Sequence, residues 1–477
     1  MSDHTDIPEL VQLSATELHA GLLAGNYSRA DIADQYLRHL DRVNPGLNAL
    51  IHVDRQAWRQ DHVQDLAALG AVPVSIKDNL WVRGWPASNG SRLFQSFQAP
   101  EDALVVGRLR AAGAALLGVS NCSEFACKGN TTNLLHGATR NPRDLSCTPG
   151  GSSGGAAAAV AAGLCTVAIG TDAGGSVRRP AAHAGVVGFK PSAGLIAHGP
   201  GFAEPVYGNS VIGLMARSAH DIAWTFDQLL GYDARDPRSV KPGQLRDHSP
   251  ARRLKLAFSP RLGLDFAVDP LVAQCVERAA RLLSDAGHQV ELIDPPWPGP
   301  VQEADLMPLQ LAGLATLYGE AFRRDPAQFD PDIAAQIEAG LALPATRVTA
   351  ALELRKRLYT ALNSLFCGVD ALLTPTTPCV AWPVERNGPE FIEGRPAGPR
   401  GHAVFTPLFN HTYLPACSVP CGLAERGLPA GLQIVGPMYA DRIVLDLAAE
   451  IEALLGHPFR APSSALPGAS LQESAAS

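Results

Sequence analysis

The sequence predicts an α/β fold, a largely parallel sheet with helices on both faces. Two observations carry that reading. From residue 72 onward, short apolar runs alternate with helical stretches, the order that parallel strands and crossover helices produce. One glycine-rich loop leaves the end of an apolar run and another precedes a helical stretch, and open sheets of this kind carry their reactive groups in loops at the strand ends. Composition agrees. With 46% hydrophobic and 18% charged residues, a chain of 477 residues has a large core to bury and is not disordered.

The N-terminus reads as helices. Ser14-Ala15-Thr16-Glu17 and Ser28-Arg29-Ala30-Asp31 both have the form of a capping box. The second opens a helix with Ile32, Tyr36, Leu37 and Leu40 on one face, expected to stop near Asn44-Pro45. Val72 to Ile76 is a short strand ending at Lys77. Asp102 is expected to cap a helix that stops at Gly113, with the next strand over Ala114 to Val119. Ala156 to Ala162 is a small-residue helix and Thr166 to Ile169 a buried strand. This weakly polar stretch is too short and too weakly hydrophobic to span a bilayer.

A polar stretch, 233–253, leads to a further unit. It has a strand at Leu254 to Phe258, a helix from Asp269-Pro270 to Gly287 and a strand at Gln289 to Ile293. Val369 to Leu373, Ser418-Val419 and Gly431 to Val435 read as returning core strands. No repeat or sharp boundary appears, so the expectation is one domain over 1–477. N-terminal helices occupy 1–60, the core 60–215, and a flexible tail 463–477.

Several function classes drop out. A net charge of −7 argues against a general nucleic-acid binder, which carries a basic face. Nine cysteines, odd in number and without a C-x-x-C pair, read as reduced thiols. Cys122 and Cys127 have no histidine at zinc-finger spacing, so no metal site is expected. The first residues hold no apolar run like that of a signal peptide. The expected location is cytoplasmic, with no membrane partner.

Two glycine-rich loops and one lysine carry the chemistry. Gly150-Gly151-Ser152-Ser153-Gly154-Gly155 precedes the alanine-rich helix. As a phosphate cradle it lacks the lysine and Ser/Thr of a P-loop. Gly151-x-Ser153-x-Gly155 formally fits a nucleophile elbow, but the preceding segment, Arg143 to Pro149, is a poor strand. Glycines also permit close approach of other segments. In Gly170-Thr171-Asp172-Ala173-Gly174-Gly175-Ser176, consecutive N–H groups can face one point and hold a developing negative charge. Ser176 sits at the lip of that nest. Lys77, buried beside two serines, would lose its proton readily and act as a base. No histidine forms a triad pattern; His183 and His136 lie nearest the loops and read as core or rim residues.

These residues resemble the amidase signature family. Lys77, Ser152 and Ser176 match its Ser–cis-Ser–Lys triad in type and spacing. Asn141-Pro142, Gly188-Phe189-Lys190-Pro191 and Gly431-Leu432-Gln433-Ile434-Val435-Gly436 match as well. The resemblance runs over 60–215 and resumes over 367–450. It implies a single α/β domain with a mixed central sheet between helical layers. It also implies that Ser176 is the nucleophile, Ser152 the bridging serine in a cis peptide, and Lys77 the general base. The N–H groups of Ala173, Gly174, Gly175 and Ser176 would hold the oxyanion, while Asp172 and Arg178 hold the loop. No metal or organic cofactor is needed.

The chain departs from the family in places. Ala71 and Tyr413 stand where the family usually has glycine, and Ala173 where it has threonine or isoleucine. The Tyr413 ring is expected to reshape a wall of the core or pocket. Glu124-Phe125-Ala126-Cys127-Lys128 is similar to a segment that borders the acyl site, so Ala126, Cys127 and Lys128 become candidate substrate contacts. Arg179, close after the nucleophile, either grips a substrate carboxylate or makes an ordinary ion pair at the rim.

The expected activity is hydrolysis of a small-molecule amide through a serine acyl-enzyme, with no nucleic-acid partner. A glutaminase subunit of a tRNA-dependent amidotransferase is the alternative, and a scaffold that lost its chemistry a third class. A homodimer is left open.

Overall fold

The computed structural model describes residues 7–59, 67–246, 252–398, 400–457 and Phe459. The expected tail at 463–477 lies outside these residues.

Thirteen strands are present among the described residues. They are β1 (Leu50–Val53), β2 (Pro73–Lys77), β3 (Ala115–Ser120), β4 (Val167–Asp172), β5 (Val187–Lys190), β6 (Val211–Ala216), β7 (Lys255–Phe258), β8 (Gln289–Leu292), β9 (Ala371–Pro375), β10 (Phe391–Ile392), β11 (Arg395–Pro396), β12 (Ala416–Leu423) and β13 (Pro429–Val435). Eleven form one sheet in the order β1-β3-β2-β4-β6-β5-β12-β13-β9-β7-β8; β10 and β11 pair separately.

The sheet is mixed. Parallel pairing holds in two blocks, β3-β2-β4 on one side and β9-β7-β8 on the other. Between them β6, β5, β12 and β13 run antiparallel to their neighbours. The expectation of a largely parallel sheet therefore describes the two blocks. The middle differs because β12 and β13 are joined as a hairpin around Glu425–Gly427, which only antiparallel neighbours allow.

Both faces are covered. On β4, Val167 and Ile169 join one apolar cluster with Leu109, Ile222 and Phe226. Ala168, between them, joins another with the helix Gly154–Ala161 and the N-terminal helices. Alternate residues of one strand thus feed two cores. The helix Gly154–Ala161 is buried throughout. Its glycines have a steric reason: a Cβ on Gly155 would lie 2.5 Å from the Asn121 backbone.

The helix pair Pro308–Arg324 and Pro331–Leu341 stands on a third cluster with Phe125, where Tyr318 stacks on the Phe125 ring at 3.8 Å. Among the described residues no helix is long and apolar enough to cross a membrane. All nine cysteines are free.

Ser14 and Ser28 form complete capping boxes with Glu17 and Asp31. The second helix does not stop at Asn44-Pro45 but runs to Leu47, with Pro45 inside its last turn. Asn48 ends it at φ 53°. Asn44 fastens the exit, its Oδ1 accepting from the N–H groups of Ala49 and Leu50. Asp102 caps no helix. Its carboxylate accepts from the Arg83 N–H at 2.7 Å and pairs with Arg110, and the helix Leu104–Ala111 starts two residues later, after Ala103, without a side-chain cap. Strands β1, β5 and β6 go beyond the strands expected from the sequence. β1 is short and polar at His52, and the glycines in β5 and β6 weaken their strand signal.

Candidate active site

Parallel pairing of β2 with β4 sets Ile76 opposite Ile169, so the ends of both strands open at one place. Lys77 is the last residue of β2, and Thr171 and Asp172 close β4. The Gly150–Gly155 loop brings Ser152 between them. Lys77 Nζ lies 2.8 Å from Ser152 Oγ and 3.1 Å from Thr171 Oγ1. Gly151-Ser152 is a cis peptide bond. Lys77 is fully buried, and that burial pushes it down to about 8 against the opposing pull of Cys122 and Asp172.

Thr131 holds the first loop in place, donating from its hydroxyl to Gly150 O at 2.9 Å and accepting from the Gly154 N–H at 2.8 Å. Ser153 turns away, its hydroxyl 3.4 Å from Thr171 O. No strand immediately precedes this loop. The chain before it makes single bridges, Asn141 with Asp144 and Cys147 with Pro383. The geometry of a nucleophile elbow at Ser153 is therefore missing.

The second loop is built on Asp172. Its carboxylate accepts from the N–H groups of Gly175, Val177 and Arg178 and pairs with the Arg178 guanidinium at 2.9 Å. Asn410 donates to the same carboxylate at 2.9 Å. Burial pushes this acid up, but the Arg178 charge and these hydrogen bonds outweigh it and hold it well below the usual carboxylate range. Arg178 reaches on to Gln433 and Asn410. The loop residues Asp172 and Arg178 thus bind each other inside the core.

This corrects one oxyanion candidate. The Gly175 N–H is taken by Asp172 at 2.7 Å, so it has nothing to offer a ligand. Among the described residues, the N–H groups of Ala173, Gly174 and Ser176 donate to no protein acceptor, and these residues line a cavity. Ser152 and Ser176 line the same cavity, yet no hydrogen bond joins their hydroxyls. Lys77 lies behind Ser152 and touches the cavity through it.

The candidate substrate contacts Ala126, Cys127, Lys128 and Arg179 all line this cavity. Phe125 and Ala126 adopt positive φ, 51° and 59°, which turns the Glu124–Lys128 segment toward it. Lys128 is engaged elsewhere: its amine pairs with Asp330 at 2.7 Å and Asp332 at 3.4 Å, tying the segment to the helix Pro331–Leu341. Arg179 is 3% exposed, a wall residue rather than a rim one. The sequence did not single out Thr171, Asn79, Phe202, Glu204, Gln310 and Arg400 as lining residues, yet all border the cavity. Thr171 and Asn79 stand beside residues of the two motifs; the others come from segments without a readable pattern.

His183 is buried edge-on against Trp382, and burial followed by the Arg179 charge pushes it down to about 3. His136 Nε2 meets Ser88 Oγ at 3.0 Å. Neither reaches the serines. Tyr413 does not line the cavity. Its hydroxyl accepts from Arg355 at 2.7 Å, and its φ is 63°. Ala71 is also left-handed, at φ 57°. Both positions show why glycine suits them.

The comparisons with known proteins agree with this architecture. Residues 31–445 match the Amidase family. One component of the glutamyl-tRNA(Gln) amidotransferase from Symbiobacterium thermophilum is 33% identical, over 93% of this chain and 97% of its own. An acylamidase from Rhodococcus erythropolis is 32% identical, over 95% and 98%. The crystal structure of a bacterial aryl acylamidase of the amidase signature enzymes superposes with a TM-score of 0.87 at 26% identity, covering 95% of this chain and 98% of that one. The chain belongs to the amidase family. Its chemistry is therefore hydrolysis of a carbon–nitrogen bond.

Proposed function

We propose that the protein hydrolyses a small-molecule amide through an acyl-enzyme on Ser176. Neutral Lys77 takes the proton of Ser152, and Ser152 takes that of Ser176 as its oxygen attacks the amide carbonyl. The N–H groups of Ala173, Gly174 and Ser176 receive the oxyanion. The proton returns through Ser152 to the leaving nitrogen, releasing ammonia or an amine. Water then cleaves the ester by the same relay, leaving the carboxylic acid. The observation that carries this reading is the 2.8 Å contact between a fully buried Lys77 and Ser152 in the cavity that also holds Ser176. The relay requires the Ser176 and Ser152 hydroxyls to come into contact when substrate arrives, and catalytic contacts commonly tighten on binding.

Ser176→Ala tests it. The variant is expected to keep its fold by circular dichroism, to lose labelling by a fluorophosphonate probe, and to lose turnover of an amide panel by about 10⁴-fold or more. Retained turnover rejects Ser176 as nucleophile.

The relative from Symbiobacterium thermophilum supports a second reading, a glutaminase that works only with partner proteins. Assaying the isolated chain separates the two. Release of ammonia or amine without any added partner favours the stand-alone enzyme. Glutamine hydrolysis that appears only on adding partners favours the other.

A further inference from the structure

We propose that the amide taken by this site carries an aromatic ring, received by a connected wall of aromatic side chains beside the two serines. The inference rests on the amidohydrolase reading above and names its substrate class.

The backbone gathers this wall from separate stretches. Leu80, close after Lys77, bridges Gly201 in antiparallel fashion, and Pro86 bridges Gln98 in the same way. The residues next to these bridges are thereby brought together. Trp81, Phe97 and Phe202 form a triangle of rings, with centroids 5.3 Å, 5.5 Å and 5.7 Å apart. Phe94 extends it, 4.7 Å from Phe202 and 6.5 Å from Phe125. Phe125 is fixed in turn by Tyr318, stacked on it at 3.8 Å. Apart from that stacked pair, the rings meet tilted or edge to face, and the spacings are those that ring quadrupoles favour.

Phe125 and Phe202 border the cavity that holds Ser152 and Ser176. Trp81, Phe94, Phe97 and Phe202 are only half-buried. The Phe189 and Phe226 pair, 5.2 Å apart in the core, is by contrast fully buried. Rings that serve packing alone are covered in that way. Four connected rings left partly in water beside a cavity are contiguous apolar surface, the kind that marks a ligand groove. Any apolar group gains by leaving water against it. An aromatic ring gains as well from offset or edge-to-face contact with Phe202 and Phe125. A cyclohexyl group is at least as apolar as a phenyl ring, so a preference for phenyl isolates the ring contact from simple burial.

The test separates binding from chemistry. Binding is measured by calorimetry on the Ser176→Ala variant with two matched sets. One is phenylacetamide, cyclohexylacetamide and acetamide; the other is N-benzylacetamide, N-(cyclohexylmethyl)acetamide and N-methylacetamide. They place the ring on the acyl or the amine portion. At least one aryl amide is expected to bind at least about tenfold tighter than its ringless match and about threefold tighter than its cyclohexyl match. The advantage over cyclohexyl should vanish on adding Phe202→Leu, which keeps an apolar surface but removes the ring. It should shrink on adding Phe94→Leu, each variant being checked for fold by circular dichroism. If neither aryl amide outbinds its cyclohexyl match, or if the advantage survives both substitutions, the inference is overturned. Turnover by the unaltered protein keeps the two readings apart. Hydrolysis of aryl and cyclohexyl amides with equal kcat/KM removes the aromatic site and leaves the amidase. Selective binding of an aryl amide without hydrolysis of any amide removes the proposed chemistry and leaves the aromatic site.

Discussion

Two buried cations flank the same glycine loop, and they are treated in opposite ways. Arg178 is surrounded by acceptors: Asp172 pairs with it at 2.9 Å, and Gln433 and Asn410 accept from it. Lys77 is equally buried, but its hydrogen-bond partners are two hydroxyls, Ser152 and Thr171. A carboxylate in contact keeps a buried cation charged; hydroxyls alone leave the cost of burial largely unmet. Lys77 is accordingly pushed down to about 8. One cation is locked as structure and the other is made easy to deprotonate. The difference between the clamp and the proposed base is the identity of the neighbouring oxygen atoms.

The comparison predicts distinct losses on its two sides. Lys77→Met should remove a proton acceptor without unfolding the core. Turnover should fall by about 10²–10⁴-fold, with an unchanged circular dichroism spectrum. Full activity at neutral pH would mean that this corner is not the base.

Asp172→Asn should act on stability instead. It leaves Arg178 buried without its counter-charge, a change that typically costs about 3–5 kcal/mol. Denaturant unfolding measures it. Because the Asp172 carboxyl is held low in the folded state, its contribution is present above the ordinary aspartate range, near about pH 4. It is lost as the pH falls through the folded-state value. A variant as stable as the parent at neutral pH would erase the distinction between clamp and base.

A smaller and graded effect is expected with pH. Only the neutral amine of Lys77 accepts a proton. The rate at low substrate should therefore rise about tenfold per pH unit on approach to about pH 8, then level off. A profile flat from about pH 6 to 9 would indicate an amine that does not titrate there.

Much of this site was legible in the chain because its parts are local. Serines among glycines, and a lysine at the end of an apolar run, leave a mark within a few residues. The resemblance to a family tied those marks together, and the contact of Lys77 with Ser152 joins two of them across 75 residues. Gly175 shows the limit of that reading. Its glycine pattern promises an exposed N–H, yet whether a carboxylate claims it depends on how Asp172 folds back. Asp102 differs from expectation for the same reason: its side chain meets Arg83 and Arg110 rather than the helix end. Lys128 has the position of a substrate contact, but Asp330, 202 residues away in sequence, takes its charge. Arg400 and Glu204 belong to stretches with no pattern at all.

By itself the sequence determined the alternation of strand and helix, the capping boxes at Ser14 and Ser28, and the three residues on which the proposed chemistry rests. These depend on periodicity and on short-range backbone chemistry, which a linear string preserves. The tertiary structure alone decided which strands pair antiparallel, which N–H groups stay open, and which cation meets a carboxylate and which a hydroxyl. Those outcomes depend on distances between remote segments. Burial then multiplies the consequence of each contact, because charge is weakly screened in the core.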